Sequence, residues 1–209
     1  MKQRGVLQTE AEMDFMTLAQ ECAPMAEPHT LRAIVRVESG FRPFAIGVNG
    51  KGSLTRQPQT QAEAIAAATD LISKGQNIDL GLAQINSANL PVLGLSVETA
   101  FDPCKNLNAA ARLLESDYQR ALSYGYSGFD AWVAALSAYN TGSFTRGVVN
   151  GYVNKVLSGL EKEKKPPLLL DGETIKLSFN EEETLLPSTV LPGVMVYAVQ
   201  SHPYLVYQP

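Results

Sequence analysis

The sequence predicts a mainly α-helical domain with at most a small β region, followed by a C-terminal extension without clear helix. Three observations predict this. Apolar residues recur at helical spacing through most of the first 159 residues, residues typical of helix ends flank these stretches, and strict alternation of apolar and polar residues is missing. Any sheet is therefore expected within residues 41–54.

The first two helices are predicted from their periodicity and from the residues that end them. One covers 10–22 and stops before Pro24, and the next covers 31–38 and stops near Gly40. Proline cannot continue a helix, and glycine adopts the left-handed conformation that often closes one. We therefore expect two helices joined by a loop.

The third helix is rich in alanine and has a recognisable start. Thr60 followed by Glu63 fits a capping box, and Gly75 fits the closing position. Three further helices are expected over 102–125, 130–139 and 145–157.

Residues 160–209 differ in kind from the first 159. They hold six of the twelve prolines, and their 4 Lys and Arg face 7 Asp and Glu. The change begins at the charge run 161–165, which is followed by Pro166-Pro167, a pair that stops a helix. We divide the chain into a domain over 1–159 and an acidic, proline-rich tail over 160–209 that is extended or disordered. The tail is either a free linker or a segment that docks onto a partner by adding a strand.

Length and composition exclude several classes of protein. The chain has 209 residues, of which 45% are hydrophobic and 18% charged, so it can bury one ordinary core. Its net charge of −4 argues against a nucleic-acid partner. No apolar run approaches the roughly 20 residues that span a bilayer, so we expect no membrane span.

The amino terminus shows no export signal. Lys2 and Arg4 resemble the basic start of a secretion signal, but Glu10, Glu12 and Asp14 fall where its apolar core would lie. Either the signal has been removed, or the protein works in the cytosol or leaves by an unusual route.

The cysteines and histidines predict neither a metal site nor a cofactor. Cys22 and Cys104 cannot bind zinc alone, and His29 and His202 are not placed at ligand spacing. The two cysteines are either one disulfide of an exported domain or two buried thiols of an intracellular one.

Glu38 is the most informative residue for chemistry. It lies four residues after Ile34 and seven after Leu31, on the apolar stripe of its own helix. Burial disfavours the charged form of a carboxyl group and raises its pKa, which suits a general acid that protonates a glycosidic oxygen. The alternative is a structural glutamate that hydrogen-bonds to nearby backbone.

Three short motifs occur in order along the chain, Glu-Ser-Gly-Phe-Arg-Pro at 38–43, Gly-Leu-Ala-Gln-Ile-Asn at 81–86 and Ala-Tyr-Asn-Thr-Gly at 138–142. Together they resemble the signature of the soluble lytic transglycosylase family, whose catalytic domain has a goose-type lysozyme-like fold. The resemblance covers about the first 155 residues. The long insert between the first two motifs, ending in 75–80, is most similar to the subfamily associated with conjugation and type IV secretion.

The resemblance implies an activity and a setting. The enzyme would cleave the β-1,4 bond between N-acetylmuramic acid and N-acetylglucosamine in peptidoglycan without water, leaving 1,6-anhydro ends. It would act in the periplasm, opening the wall locally for a secretion or conjugation apparatus. If the tail docks onto a partner, proteins of that apparatus are the expected partners. An oxidising compartment also favours a disulfide between Cys22 and Cys104.

The resemblance further implies roles for individual residues. Glu38 matches the acid and base of the family, and Tyr139 matches a tyrosine whose hydroxyl holds the Glu38 carboxyl in position. We expect six residues to bind substrate, namely Ser39, Asn49, Gln84, Asn86, Asn140 and Tyr152.

Two positions depart from the family pattern. Ala83 stands where methionine is common, and Gly47 stands nine residues after Glu38, where many members have a serine that contacts substrate. Gly47 cannot make that contact, and Asn49 is the nearby substitute.

Two other functions remain open. A hydrolysing lysozyme would need a second carboxylate, for which Asp79 is the best candidate, since Asn86 stands where goose-type lysozymes have one. An inactive wall-binding or assembly module would keep the groove without the chemistry.

Overall fold

The computed structural model describes residues 15–50 and 52–163, and the predicted tail over 160–209 lies mostly outside them. The mainly helical fold with a small β region is confirmed. The helices are α1 (described over 15–22), α2 (Pro28–Glu38), α3 (Gln61–Ser73), α4 (Leu90–Leu93), α5 (Val97–Ala100), α6 (Pro103–Ser123), α7 (Gly128–Thr141), α8 (Arg146–Val149) and α9 (Tyr152–Glu163). The strands are β1 (Ile46–Val48), β2 (Ile78–Leu80) and β3 (Ile85–Asn86).

Side chains cap the first turns of helices α2 and α3. The Glu27 carboxylate accepts the backbone N–H groups of His29 and Thr30 at the start of α2, where Pro28 supplies the first helical residue. The predicted cap at Thr60 is present, since its hydroxyl accepts the N–H of Glu63.

The sheet is antiparallel, in the order β1-β2-β3. Gly47 lies opposite Asp79, and Asp79 lies opposite Asn86. The prediction that any sheet is confined to 41–54 is wrong, because β2 and β3 lie outside that stretch. Strands of two or three residues are too short to show an alternating pattern, so only the tertiary pairing reveals them.

Other boundaries differ from the predictions. The helix expected over 145–157 is two helices, because Gly151 adopts a left-handed φ of 81° between α8 and α9. The short helices α4 and α5 were not predicted. Helix α9 continues to Glu163, so the expected domain boundary at 159 falls inside it. Nowhere in the described part of the chain does a helix combine the length and the apolar character that a bilayer crossing demands.

Helix α2 lies between two apolar clusters and joins them. Leu31 and Val35 belong to the cluster that includes the sheet and α6, whereas Ala33 and Ile34 belong to the cluster formed with α7 and α9. Its C-terminal residue, Glu38, is therefore placed by both halves of the core. A disulfide between Cys22 and Cys104 ties α1 to the first turn of α6.

Candidate active site

Glu38 is the last residue of α2, and the chain turns sharply after it. Gly40 and Phe41 both have left-handed φ angles, of 59° and 64°. This conformation is unfavourable for a bulky residue such as Phe41, and the Phe15 ring packs edge-on against it at 5.3 Å between centroids. The turn leaves the Glu38 side chain half-buried.

Burial is the main cause of the raised pKa of Glu38. It raises the pKa of the carboxyl from 4.5 to about 7, the nearby hydroxyl of Tyr152 holds part of the rise down, and the negative charge of Asp79 adds to it. No cation among the described residues offsets the burial, so about half of the Glu38 carboxyl groups keep their proton at neutral pH.

Two tyrosines approach Glu38 with different hydrogen bonds. The Tyr139 hydroxyl donates its proton to the carbonyl of Ala83 at 2.8 Å, not to Glu38 as expected. The Tyr152 hydroxyl is buried and has no partner in strict hydrogen-bond geometry among the described residues, yet it is close enough to lower the pKa of Glu38. Of the two tyrosine hydroxyl groups, that of Tyr152 is therefore the one with a proton available to Glu38.

Asp79 is the second carboxylate of the site, and two amides fix it. Asn49 donates to its Oδ2 at 2.9 Å, and Asn86 donates to its Oδ1 at 2.8 Å. Burial raises the pKa of Asp79, and these two hydrogen bonds oppose the rise. Asn77 completes the cluster, because its Oδ1 accepts a proton from each of the same two amides at 2.7 Å.

Gln84 lies beside Asp79 in a left-handed backbone conformation, with φ of 51°. Its Nε2 donates to the carbonyl of Gly81 at 2.8 Å and to that of Ala45 at 3.2 Å. Both amide protons are therefore used within the protein, and the half-buried side chain keeps its oxygen for other contacts.

Two of the predicted substrate-binding residues are buried. Ser39 is 1% exposed, and its hydroxyl donates to the carbonyl of Val35. Asn86 is 5% exposed, donates both amide protons to Asn77 and Asp79, and accepts the backbone N–H of Ala88. Both side chains are thus committed to holding the site together, and neither offers a surface to a substrate.

The other predicted residues lie in different settings. Asn49 is half-buried, with both amide protons on Asn77 and Asp79. Asn140 accepts a proton from Asn150 at 3.0 Å in an exposed position. Tyr152, expected to line the groove as an aromatic surface, is only 5% exposed, and its hydroxyl lies near Glu38.

Sequence reasoning missed Asn77, and a signal for it was present. Asn77 precedes Asp79 by two residues, which places both side chains on one face of an extended segment. Within the described residues, no group of three or more His, Cys, Asp or Glu side chains could hold a metal ion. The arrangement supplies one neutral acid, one fixed carboxylate and several amides, which suits proton transfer to and from a sugar.

Comparison with known proteins agrees with these features. The transglycosylase SLT domain family model matches residues 15–157. The type IV secretion system protein virB1 of Brucella abortus (strain 9-941) is 46% identical over 158 residues, which cover 73% of this chain and 66% of that protein. Protein virB1 of Agrobacterium fabrum is 41% identical over 174 residues, or 82% of this chain and 69% of that protein.

The chain spans just under two thirds of the Brucella relative, 66% of its length. No solved structure matches the chain significantly. The family match covers more than half of the chain and includes Glu38, Asp79, Gln84, Tyr139 and Tyr152. The chain belongs to the transglycosylase SLT domain family.

Proposed function

We propose that the protein is a peptidoglycan lytic transglycosylase with Glu38 as its single acid and base. The observation that carries this proposal is the Glu38 carboxyl, which is half-buried at the end of α2, lacks a cation partner among the described residues and has a pKa of about 7. Membership of the SLT family supports the choice of glycan substrate.

In the first step, protonated Glu38 gives its proton to the oxygen of the glycosidic bond. The bond between that oxygen and the anomeric carbon breaks, the N-acetylglucosamine side leaves as an alcohol, and positive charge develops on the muramic acid ring. The carboxylate of Asp79, fixed by Asn49 and Asn86, lies close enough to Glu38 to favour this charge.

In the second step, Glu38 acts as a base. It takes the proton from the 6-hydroxyl of the same muramic acid, and the freed oxygen bonds to the anomeric carbon to form the 1,6-anhydro ring. Glu38 is protonated again by the proton of the 6-hydroxyl, while the proton that it gave stays on the leaving alcohol, and no water is consumed. The Tyr152 hydroxyl, which has an uncommitted proton, stabilises the Glu38 carboxylate between the two steps.

A hydrolysing lysozyme is the second candidate, and Asp79 favours it. A glycosidase that hydrolyses needs two carboxyl groups in one site, and Asp79 is near enough to Glu38 to raise its pKa. The hydrogen bonds that the Asn49 and Asn86 amides donate to the two Asp79 oxygens oppose this role. They stabilise the carboxylate as an anion and occupy the oxygens that would accept a proton from water.

Mass spectrometry of the products from purified peptidoglycan separates these functions. A transglycosylase gives 1,6-anhydro products, each lighter by one water than the corresponding product of hydrolysis. Products with the mass of reducing sugars would establish the lysozyme instead. If the parent and the Glu38→Gln variant both leave the wall intact while binding it, the protein is an inactive wall-binding or assembly module.

We further propose that the protein acts in the periplasm and opens the wall for a type IV secretion or conjugation apparatus. The Cys22–Cys104 disulfide suits an oxidising compartment. The Brucella relative is named a type IV secretion system protein. The proposed docking of the tail, 160–209, rests on its composition, and a chain that ends at Glu163 tests it: lysis of isolated wall should persist while secretion in cells is lost.

A further inference from the structure

The turn that follows Glu38 contains a strained residue. Phe41 has a left-handed φ of 64°, which is unfavourable for a bulky side chain and therefore needs support from its surroundings. Arg42 closes the turn, because its Nε donates to the carbonyl of Ser39 at 2.7 Å. If Phe41 left this conformation, the hydrogen bond between Ser39 and Arg42 would break, and the end of α2 would lose its fixed direction.

The Phe41 ring packs against Phe15 and Arg32. The Phe15 ring meets it edge-on, with 80° between the two planes, and Arg32 Cζ lies 6.0 Å from its centre. Arg32 belongs to α2, the helix that also carries Glu38, so Phe15 is the contact of this pair that comes from another element. Phe15 is 7% exposed and belongs to the apolar cluster that includes the sheet.

Helix α1, which carries Phe15, is anchored at its other end. The disulfide joins Cys22 to Cys104 in α6, and the carbonyl of Cys22 accepts a hydrogen bond from Asn108 at 3.0 Å. Phe15 lies about two helical turns before this anchor. The ring that supports Phe41 is therefore carried by a helix that is fixed to the core.

We propose that Phe15 is a positioning residue whose ring holds Phe41 in the left-handed turn and thereby keeps the Glu38 carboxyl aimed at the glycosidic oxygen. This inference rests on the proposed function, in which Glu38 is the acid. None of the three motifs contains Phe15, so the inference adds α1 to the elements that place the acid. An edge-to-face pair contributes more than burial of its area, so the ring itself matters as well as its volume.

The substitution Phe15→Leu removes the ring and keeps an apolar side chain. We expect kcat for cleavage of soluble peptidoglycan fragments to fall about fivefold, the value of one aromatic pair, and KM to stay within about twofold. The matched control is Phe101→Leu, the same substitution in the same apolar cluster at the end of α5. It should lower the thermal transition and keep the kcat of the folded protein. Equal losses of kcat in the two variants, measured well below both transitions, would overturn the inference.

A change at residue 41 tests the route by which Phe15 acts. Phe41→Gly gives the turn a residue that adopts a left-handed φ without strain and has no ring to support. In that background, Phe15→Leu should change kcat by less than about 1.5-fold, because the contact that it removes is already absent. A full fivefold loss there would show that Phe15 acts through other contacts and would overturn the inference.

The environment of Glu38 gives a readout that does not need catalysis. NMR titration of the Glu38 carboxyl carbon, assigned with Glu38→Gln, follows the pKa that burial raises to about 7. The titratable groups that interact with Glu38 are Asp79 of β2, Tyr139 of α7 and Tyr152 of α9, and Phe15→Leu changes none of them. A carboxyl group that leaves its buried position should titrate closer to 4.5.

This titration keeps the inference apart from the proposed function. We expect the pKa of Glu38 to fall in Phe15→Leu and to stay unchanged in Phe101→Leu. If the parent yields anhydro products while Phe15→Leu keeps both its kcat and the parental pKa, the positioning role alone is rejected. If the pKa falls in Phe15→Leu but the parent yields no anhydro product, the transglycosylase is rejected and the positioning role stands.

Discussion

Glu38 and Asp117 are two carboxyl groups with the same raised pKa and different surroundings. Both are half-buried, and burial raises the pKa of each to about 7. Asp117 in α6 accepts a hydrogen bond from Arg120 at 2.6 Å, and the Arg120 guanidinium lies 4.9 Å from the centre of the Phe144 ring. Glu38 instead lies near another carboxylate, Asp79, and near the hydroxyl of Tyr152.

This difference shows that a raised pKa does not by itself identify a catalytic acid. The Asp117 carboxyl is occupied by a cation that opposes its protonation, whereas the neighbours of Glu38 include a negative charge that favours it. The backbone also differs. Within the described residues, the only residues other than glycine with positive φ are Phe41 and Gln84, and both belong to motifs around Glu38.

The largest effect should come from removing the acid itself. Glu38→Gln cannot donate or regain a proton, so we expect the rate of peptidoglycan cleavage to fall by about 10²–10⁴-fold. Asp117→Asn should change the rate by no more than a few-fold, because the Asp117 carboxyl is paired with Arg120. The release of soluble muropeptides measures both. Equal losses in the two variants would show that Asp117 also belongs to the catalytic machinery.

Much of the Glu38 site could be predicted from sequence, because its signals are local. The helical stripe placed Glu38 beside the core, and the three motifs named Gln84 and Tyr139. The partners of Asp79 could not be predicted in the same way. Their hydrogen bonds depend on the register of β1, β2 and β3, which pair only once the whole domain has folded.

The surroundings of Asp117 could also be predicted only in part from the sequence. Its ion pair with Arg120 follows from i,i+3 spacing on a helix, but the Phe144 ring that covers the pair comes from the loop after α7. The exchange of expected roles between Tyr139 and Tyr152 has a similar cause. Which hydroxyl remains uncommitted is decided by the position of the Ala83 carbonyl.

The next largest effect concerns the stability of the Asp117 region. Arg120→Met removes the cation and leaves the half-buried Asp117 carboxylate without its partner, so we expect a loss of about 1–3 kcal/mol in the free energy of unfolding at pH 8. The loss should shrink at pH 5, where Asp117 binds a proton. Urea denaturation at both pH values measures it, and Asp117→Asn in the same chain should restore part of the stability at pH 8. A loss that does not depend on pH would assign the effect to packing on Phe144 alone.

Both carboxyl groups should make stability fall as pH rises. Their folded pKa values of about 7 exceed the unfolded values of 4.5 for Glu38 and 3.8 for Asp117, so the folded protein binds more protons between these limits. The stabilisation is complete below the unfolded pKa and is lost as pH rises through about 7, with a slope of at most about 1.4 kcal/mol per pH unit for each group. Thermal or urea unfolding between pH 4 and 8 should show a flatter decline in Glu38→Gln and the flattest in the double variant with Asp117→Asn. A steeper decline in either would contradict the assignment.

The smallest effects should be shifts of the pH–rate profile, and changes at two neighbours of Glu38 should shift it in opposite directions. Asp79 raises the pKa of Glu38, so Asp79→Asn should move the alkaline limb of the pH–rate profile to lower pH. Tyr152 lowers that pKa, so Tyr152→Phe should move the limb to higher pH. We expect these two shifts to be opposite in direction. Tyr139→Phe is the matched control, because its hydroxyl proton belongs to Ala83 and its removal should shift the limb least. Shifts in the same direction in Asp79→Asn and Tyr152→Phe would contradict this prediction. They would mean that a structural change of the site, and not the Asp79 charge and the Tyr152 hydroxyl, alters the pKa of Glu38.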